Sequence, residues 1–311
     1  MRYSVLDLFR SPAQSVEVAR RADYLGFHRY WVGEHHSATQ CTNPLLLGAI
    51  LLGVTDQIRI GTGPLGILAR SPITIAEDVQ MMRTLFGDRF DLGLSKGFVG
   101  TAPDGSGDEI RRLLLDSRDE RAIRADFIGR IERTRSHLGD ESSPPFWLIG
   151  SSAESARIAG GLSMGFCTSF YHASSIDALE RAIAEYRDAF VPGKGLTASQ
   201  CILVQSGLCA PSTEAAVASL RFFLRDAESP GDELTTRPMG PWLYAGDGAG
   251  CREAIDAAVA RFRPDELMIH NLLLPDAVDL EIQSLEVLAP ALGLDRVALD
   301  AATEISTGDI P

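Results

Sequence analysis

Short apolar runs alternate along this chain with longer stretches in which apolar residues recur at helical spacing. The apolar runs predict eight strands, at Tyr3–Phe9, His28–Gly33, Gln57–Leu68, Phe90–Ser95, Phe146–Ile149, Phe166–Tyr171, Cys201–Cys209 and Glu266–His270. The periodic stretches predict helices at Ser11–Leu25, Pro44–Val54, Ser71–Phe86, Asp119–Leu138, Ser152–Leu162, Ile176–Phe190, Thr213–Asp226, Gly250–Arg263 and Val278–Leu292. Each predicted strand is therefore followed by a helix.

This alternation predicts an α/β fold with a parallel sheet, because parallel neighbours are joined by helical crossovers. Eight repeats favour a closed (β/α)8 TIM barrel over an open doubly wound sheet, which would need a glycine fingerprint after its first strand. No such fingerprint follows Tyr3–Phe9. We expect one barrel domain over residues 1–300 and a loosely held tail at residues 301–311.

Two stretches interrupt the alternation. Gly97–Gly107 is rich in glycine, proline and aspartate and follows the fourth predicted strand, whereas Glu228–Gly250 precedes the eighth. We expect both to be loop insertions at the C-terminal face of the barrel, where catalytic groups lie in this fold. The second insertion is interpreted either as a lid or as an inert surface loop.

Composition and charge argue against several classes of partner and site. The formal net charge is −13, without a run of lysine or arginine, which argues against nucleic acid and anionic membranes as partners. Five scattered cysteines without a CxxC pair argue against a disulfide framework or zinc site and favour a reducing compartment. Because we find neither a signal peptide nor a membrane-length apolar run, we expect a cytoplasmic protein.

The segment Trp31-Val32-Gly33-Glu34-His35-His36 ends the second predicted strand. Such strand ends carry catalytic groups in barrels, and His35 can act near neutral pH as an acid, a base or a hydrogen-bond donor. His36 is a weaker catalytic candidate, and Glu34 either orients a ring or forms a pair on the rim. A metal site would need a third ligand from elsewhere, so we predict none; a purely structural role for both rings is the other alternative.

Three further segments suit a flat, anionic ligand. Gly61–Pro64 permits close approach of the backbone, and its Gly63–Pro64 bond can be cis or trans. Lys96, just past a strand end, is placed to neutralise a phosphate. Gly150–Ser152 leads from a strand into a helix, where it offers N–H groups to an anion or supplies an ordinary N-cap.

In this order the segments resemble the bacterial luciferase-like flavin monooxygenase family, over about residues 1–300. The resemblance rests on W-V-G-E-H-H, R-I-G-T-G-P-L-G-I-L-A-R-S-P-I-x-I-A-E-D, R-F-D-L-G-L-S-K-G and P-P-F-W-L-I-G-S-S-A-E-S-A, and Arg59–Gly97 is its most specific part. It implies a (β/α)8 barrel, often a homodimer, with FMN at the C-terminal mouth. His35 matches the active-site histidine of the family. The implied cofactor-binding residues are Gly63, Pro64, Lys96, Gly150, Ser151, Ser152 and Ser155.

The reaction implied by the resemblance uses FMNH2 and O2 to oxidise a small organic substrate through a flavin C4a-(hydro)peroxide, and a tailoring step in secondary metabolism is one hypothesis. A separate NAD(P)H:flavin reductase is the implied partner, because the family generally lacks its own NAD(P)H site. Position alone suggests that Tyr171, His172, His270 and Trp242 line the substrate side. The alternatives are an F420-dependent oxidoreductase, which transfers hydride, and a flavin-binding protein without catalysis.

The sequence also departs from the family pattern. Lys96 stands where the family commonly has a basic residue on the phosphate, and lysine cannot make the bidentate contact of arginine. Ser95 replaces the reactive cysteine of luciferase. The segment between the fourth and fifth predicted strands is short, which argues against a pocket for a long-chain aldehyde. Light emission is not implied.

Overall fold

The computed structural model describes residues 1–36, 40–97, 106–116, 118–139, 143–193, 195–226, 243–273 and 276–295. The strands in these ranges are β1 Arg2–Asp7, β2 Arg29–Val32, β3 Arg59–Thr62, β4 Leu65–Gly66, β5 Phe90–Ser95, β6 Phe146–Ile149, β7 Gly165–Ser169, β8 Cys201–Cys209, β9 Tyr244–Gly246 and β10 Glu266–Asn271. The helices are α1 Pro12–Tyr24, α2 Pro44–Gly53, α3 Pro72–Phe86, α4 Ser106–Leu115, α5 Glu120–Ala125, α6 Phe127–Leu138, α7 Ala153–Gly161, α8 Ile176–Ala189, α9 Thr213–Asp226, α10 Gly248–Phe262 and α11 Val278–Ala291, with a single 3-10 turn at Ile67–Ala69.

Eight strands form a closed ring in the order β1, β2, β3, β5, β6, β7, β8 and β10. Strand β10 closes the ring because it pairs with both β8 and β1, and every ladder is parallel. The short strands β4 and β9 are additions that pair with β5 and β8. Closure leaves the ring without a free edge, and it confirms the predicted (β/α)8 barrel.

The barrel interior is filled in layers, because alternate residues of a strand point to the same face. On β10 this rule places Glu266, Met268 and His270 on the inward face, from the bottom of the barrel to its mouth. The middle layer is an apolar cluster of Trp31, Trp147, Cys167, Ile202, Val204 and Met268. The rings of Trp31 and Trp147 meet edge to face with their centroids 5.8 Å apart.

Two glycines make room for these indoles. Gly61 is the register partner of Trp31, and Gly165 is the register partner of Trp147. A Cβ atom at Gly61 would lie 2.4 Å from the Trp31 ring, and one at Gly165 would lie 2.2 Å from the Trp147 ring. Both positions therefore exclude any larger side chain while the indoles stay in place.

Charged side chains close the bottom of the barrel. Arg29 forms ion pairs with the fully buried carboxylates of Asp91 and Glu266, and its Nε donates to Asp91 Oδ2 at 3.0 Å. Arg59 Nε and Trp147 Nε1 also donate to Asp91, at 2.7 and 3.3 Å. Burial would raise the pKa of Asp91, but the two arginines hold it below its usual value. Burial does raise the pKa of Glu266.

Four regions differ from the predicted elements. Helix α4 has no predicted counterpart, and the predicted strand Gln57–Leu68 is divided into β3, β4 and the 3-10 turn. The predicted helix Asp119–Leu138 is divided at Asp126 into α5 and α6. Helix α5 buries no residue, whereas α6 packs one face against the barrel, so the two segments have different surroundings. Glu228–Gly250 is not wholly a loop, since it contains β9 and the start of α10. Residues 98–105, 227–242 and 296–311 lie outside the described ranges, and with them lies the predicted tail.

Side-chain caps set the start of several helices. Ser11 and Gln14 form a capping box at α1, and Asn43, Asp119, Ser175 and Asp247 each accept a hydrogen bond from a first-turn N–H group of their helix. In the part of the chain that is described, no helix combines the length and the apolar character that a membrane crossing requires.

Replacement of Arg29 by methionine should strongly destabilise the fold, because it removes the cation that the two buried carboxylates share. Among the described residues, Asp91 would keep only Arg59 as a cation, and Glu266 would keep only Arg2 at 3.9 Å. We expect the free energy of unfolding from urea denaturation to fall by about 3–5 kcal/mol. Arg157→Met is the matched control, since it removes an exposed pair with Glu185 and should cost less than about 1 kcal/mol. If both variants lost the same free energy of unfolding, the buried cluster would stabilise the fold no more than an exposed ion pair does.

Candidate functional site

The sequence-predicted site residues lie at one end of the barrel. His35 and His36 follow β2, and Gly63–Pro64 follows β3. Lys96 follows β5, and Gly150–Ser152 follows β6. Because all ring strands are parallel, their C-terminal ends form a single mouth, which is the catalytic face of this architecture.

The inward layer above the tryptophans contains several small residues beside Ile149 and His270. The alternation of side chains places Gly33, Gly63, Ser95, Ser169 and Ser206 on this level. A Cβ atom at Gly63 would lie 2.9 Å from the Cβ atom of Trp31, so the glycine backbone packs directly on the indole layer. Small side chains and hydroxyl groups therefore form a floor on which a flat ring can rest.

The turn after β3 is tied to the turn after β2. The Gly63–Pro64 peptide bond is cis, one of the two isomers that the sequence allowed. The Gly63 N–H donates to Val32 O at 2.7 Å, and the Glu34 N–H donates to Pro64 O at 3.1 Å. These two bonds fix one edge of the floor.

Gly61, Gly63 and Gly66 also stand at G-x-G-x-x-G spacing, a match that sequence reasoning overlooked. In a dinucleotide-binding fold this spacing joins a strand to the first turn of a long helix. Here the segment runs from β3 into β4 and the single turn Ile67–Ala69. The glycines therefore belong to the barrel mouth and not to a Rossmann fingerprint.

Glu34 is a buried anchor and not a residue of the rim. It is 3% exposed and accepts hydrogen bonds from His36 Nε2 at 2.8 Å, Gly66 N–H at 2.8 Å and Arg70 Nη2 at 3.1 Å. Burial would raise the pKa of Glu34, but these donors hold it below its usual value. The ring that Glu34 orients is that of His36.

His35 has different surroundings from its neighbour. Its backbone N–H donates to Cys41 O at 2.7 Å, and its ring centroid lies 5.0 Å from that of Phe9. The ring atom Nδ1 is buried and has no hydrogen-bond partner among the residues described. Burial lowers the pKa of His35, so the ring is neutral at pH 7.

Two of the four residues suggested for the substrate side, His172 and His270, each lie next to a serine hydroxyl group. His172 Nδ1 is 2.8 Å from Ser169 Oγ, and His270 Nδ1 is 3.1 Å from Ser206 Oγ. Burial lowers the pKa of His270 to about 3, and the charges of Arg10, His172 and His35 contribute further. Tyr171 is 45% exposed beside His172, whereas Trp242 lies outside the described residues.

Sequence reasoning missed the residues that follow β1. The Phe9 ring lies between His35 and His270, with centroid separations of 5.0 and 6.2 Å. Arg10 is buried and forms an ion pair with the buried Glu281 of α11. Their position just past a strand end was the only signal, because Phe9 and Arg10 belong to no motif.

The turn Gly150–Ser152 behaves in part as an ordinary helix cap. Ser152 Oγ accepts a hydrogen bond from the Ser155 N–H at 3.1 Å, and the Gly150 N–H bonds to Cys167 O within the sheet. A Cβ atom at Gly150 would lie 2.9 Å from Ser155 Oγ. The N–H groups of Ala153 and Glu154 lie in the first turn, where the helix supplies no acceptor, so they can bind an anion.

Lys96 reaches the same turn. Its Nζ is 2.8 Å from Glu154 Oε1, and this contact lowers the pKa of the glutamate. Lys96 is 36% and Glu154 is 64% exposed, so an incoming anion can compete for the ammonium group. Ser151 Oγ makes no hydrogen bond to a described residue, and Arg124 Nη1 donates to Lys96 O at 3.3 Å.

Metal binding finds no support in the described ranges. No group of three or more histidine, cysteine, aspartate or glutamate side chains there is arranged to hold an ion. The five cysteines are buried free thiols.

Comparison with known proteins gives consistent matches. The family model for luciferase-like monooxygenases matches residues 1–262. The uncharacterized protein YvbT of Bacillus subtilis is 33% identical over 214 residues, which cover 61% of this chain and 57% of that protein. A luciferase-like monooxygenase of Escherichia coli K12 is 31% identical over 226 residues, 62% of each protein. The matches thus span less than two thirds of the length of these relatives.

Solved structures match nearly the whole chain. Apo-MsnO8 has a TM-score of 0.80 at 25% identity and covers 95% of this chain and 99% of its own. The oxygenating constituent of 3,6-diketocamphane monooxygenase from Pseudomonas putida, in complex with FMN, has a TM-score of 0.67 at 19% identity. An F420-dependent secondary alcohol dehydrogenase has a TM-score of 0.66 at 17% identity, and each of these two covers 94% of this chain and 98% of its own. At such identities the last two share the fold alone.

Proposed function

Because this chain belongs to the luciferase-like monooxygenase family, we propose that it is a flavin monooxygenase that uses FMNH2 and O2 to oxidise a small organic substrate. The observation that carries the proposal is the buried Nδ1 atom of His35, which has no hydrogen-bond partner among the described residues. A buried polar atom without a partner is costly unless a ligand completes its hydrogen bond. Reduced flavin, when bound, supplies the electrons that activate O2.

The residues at the mouth fit a flavin in two parts. The Gly33 and Gly63–Pro64 backbones would support the ring, because the glycines allow a flat ligand to approach the main chain closely. Lys96 and the first turn of α7, with Ser151, would hold the phosphate. The Lys96–Glu154 pair would open when the phosphate binds, which suits a cofactor that is taken up reduced and released oxidised.

His35 would hold or move a proton at Nδ1, next to the reacting part of the flavin or the substrate. Its lowered pKa keeps the ring neutral, so it can act as acceptor or donor according to its tautomer. Glu34 and His36 would keep the turn after β2 in place, since Glu34 binds His36 and the turn after β3.

The proposal includes two partners. A separate NAD(P)H:flavin reductase would supply FMNH2, as in two-component members of the family. We also propose a homodimer through α2 and α3, because α2 has no polar residue and leaves Leu46 and Ile50 exposed. Met81 and Leu85 of α3 are 58% and 66% exposed, and an apolar face of this kind marks an association surface. The buried free thiols support a reducing, cytoplasmic location.

His35→Ala should alter the reoxidation of bound flavin. Mixing the protein with FMNH2 under anaerobic conditions and then with aerated buffer should give, in the wild type, a flavin absorbance trace slower than that of free FMNH2. The variant should lose this delay, because it lacks the Nδ1 group. His137→Ala, at an exposed position on α6, is the control. A wild-type trace identical to that of free flavin would overturn the proposal, and reduced F420 would then be the ligand to test.

Lys96→Met should weaken binding of FMN but not of riboflavin, which lacks the phosphate. Loss of one charge-assisted hydrogen bond should raise the Kd of FMN about 10-fold, measured by quenching of flavin fluorescence. Glu154→Gln removes the present partner of the lysine and should bind FMN at least as tightly as the wild type. If Lys96→Met raised both dissociation constants equally, Lys96 would not contact the phosphate.

The double variant Leu46→Glu, Leu85→Glu should be monomeric in light scattering after gel filtration, because two charges in the α2–α3 face prevent its burial. The wild type should have twice the mass. Leu113→Glu, at an equally exposed leucine of α4, is the matched control and should stay dimeric. A dimeric double variant would place the interface elsewhere.

A further inference from the structure

We propose that His172 and His270 form a pair of N–H donors at the barrel mouth that binds a carbonyl oxygen of the organic substrate. The proposal rests on the oxygenase function proposed above, since it names the class of molecule that this site oxidises: a carbonyl compound attached to a flat, apolar body. Two serine–histidine pairs on neighbouring strands carry the argument.

Ser169 fixes the tautomer of His172. Ser169 Oγ accepts the backbone N–H of His172 at 3.2 Å and lies 2.8 Å from its Nδ1 atom. If Nδ1 carried the proton, Oγ would accept twice and its own hydroxyl proton would have no acceptor among the described residues. We therefore assign the hydroxyl as the donor to Nδ1 and place the imidazole proton on Nε2.

Ser206 has the same relation to His270. The two residues are register partners on β8 and β10, and their side chains are 3.1 Å apart at Oγ and Nδ1. Ser206 is 3% exposed, so a hydroxyl proton that pointed away from Nδ1 would be buried without an acceptor among the described residues. This assigns the Nε2–H tautomer to His270 as well. Neither Nε2 atom bonds to a described residue.

The two donors lie at the same end of the barrel. Ser169 and Ser206 belong to the small-residue layer, and β7 pairs with β8 in the ring. His172 and His35 each lie within electrostatic range of His270.

Both donors of the proposed pair are uncharged. Burial lowers the pKa of His172, and that of His270 falls to about 3, so both rings are neutral at pH 7. The neighbouring cation, Arg10, forms an ion pair with Glu281 through Nη2, and its buried Nη1 atom has no partner among the described residues. A carbonyl oxygen, which has two lone pairs and no charge, can accept from both N–H groups.

Aromatic rings flank the donors. The Phe9 ring lies 6.2 Å from that of His270, and the Tyr171 ring lies 5.1 Å from that of His172, edge to face. Aromatic faces of this kind bind flat apolar groups. We therefore expect the carbonyl group of the substrate to be attached to a flat, apolar group.

The tautomers can be tested directly by long-range ¹H–¹⁵N NMR on protein labelled with ¹⁵N-histidine. His172 and His270, assigned from the His172→Phe and His270→Phe spectra, should each show a protonated Nε2 and an unprotonated Nδ1 at pH 7. Ser169→Ala and Ser206→Ala should each change only the partner ring. Signals of Nδ1–H tautomers in the wild type would overturn the proposal.

Recognition of the carbonyl group can be tested with two probes of nearly equal shape. Acetophenone has a C=O group at the position where α-methylstyrene has a C=CH2 group. Titration by calorimetry, with and without saturating oxidised FMN, should give about 10-fold tighter binding of acetophenone. The preference should fall at least 3-fold in Ser206→Ala and Ser169→Ala, variants that keep both rings. Equal binding of the two probes by the wild type would exclude the carbonyl site.

These measurements need neither O2 nor reduced flavin, so their outcome is separate from that of the oxygenase proposal. A carbonyl preference without slowed flavin reoxidation would leave the donor pair standing and remove the proposed reaction. Slowed reoxidation without a carbonyl preference would do the reverse.

Discussion

The Arg29 guanidinium holds together two carboxylates, Asp91 and Glu266, which enter the barrel from strands far apart in the sequence. None of these charges can stay buried without its partner, so β2, β5 and β10 must meet in one register. A slip of one residue would turn every side chain of a strand to the opposite face. This cluster therefore also sets the alignment of the layers above it, including the indoles and the floor of the mouth.

This arrangement separates stability from chemistry along each strand. On β10, Glu266 closes the bottom, Met268 packs against the indoles and His270 reaches the mouth. The charged layer and the mouth are separated by a layer that contains no charged side chain. Residues at the mouth can therefore change with little effect on the ion pairs that hold the ring closed, which agrees with the use of barrels for many reactions.

Much of the fold could be predicted from sequence because its signals are local. Phe90–Ser95, Phe146–Ile149 and Cys201–Cys209 have the same bounds in the prediction and in the structure, since each is an apolar run bounded by turn residues. The three residues of β9 are too few to show a period. Strand ends likewise placed His35 and Lys96 at the mouth, because every parallel strand of a barrel ends there.

The partners of these residues could not be predicted in the same way. Arg10 and Glu281 are 271 positions apart, and the Lys96–Glu154 contact depends on how α7 starts relative to β5. Such pairs are set by the three-dimensional alignment of strands, and no motif in the sequence records them. The same is true of Ser206 and His270, which meet only because β8 pairs with β10.

The Trp31–Trp147 pair gives the protein an internal optical reporter. Both indoles are fully buried and lie directly beneath the mouth, and the chain contains three tryptophans in all. A yellow chromophore seated on the floor above them would accept their excitation energy and quench their emission. Because both rings are fully buried, quenching of their fluorescence would report that the mouth is occupied.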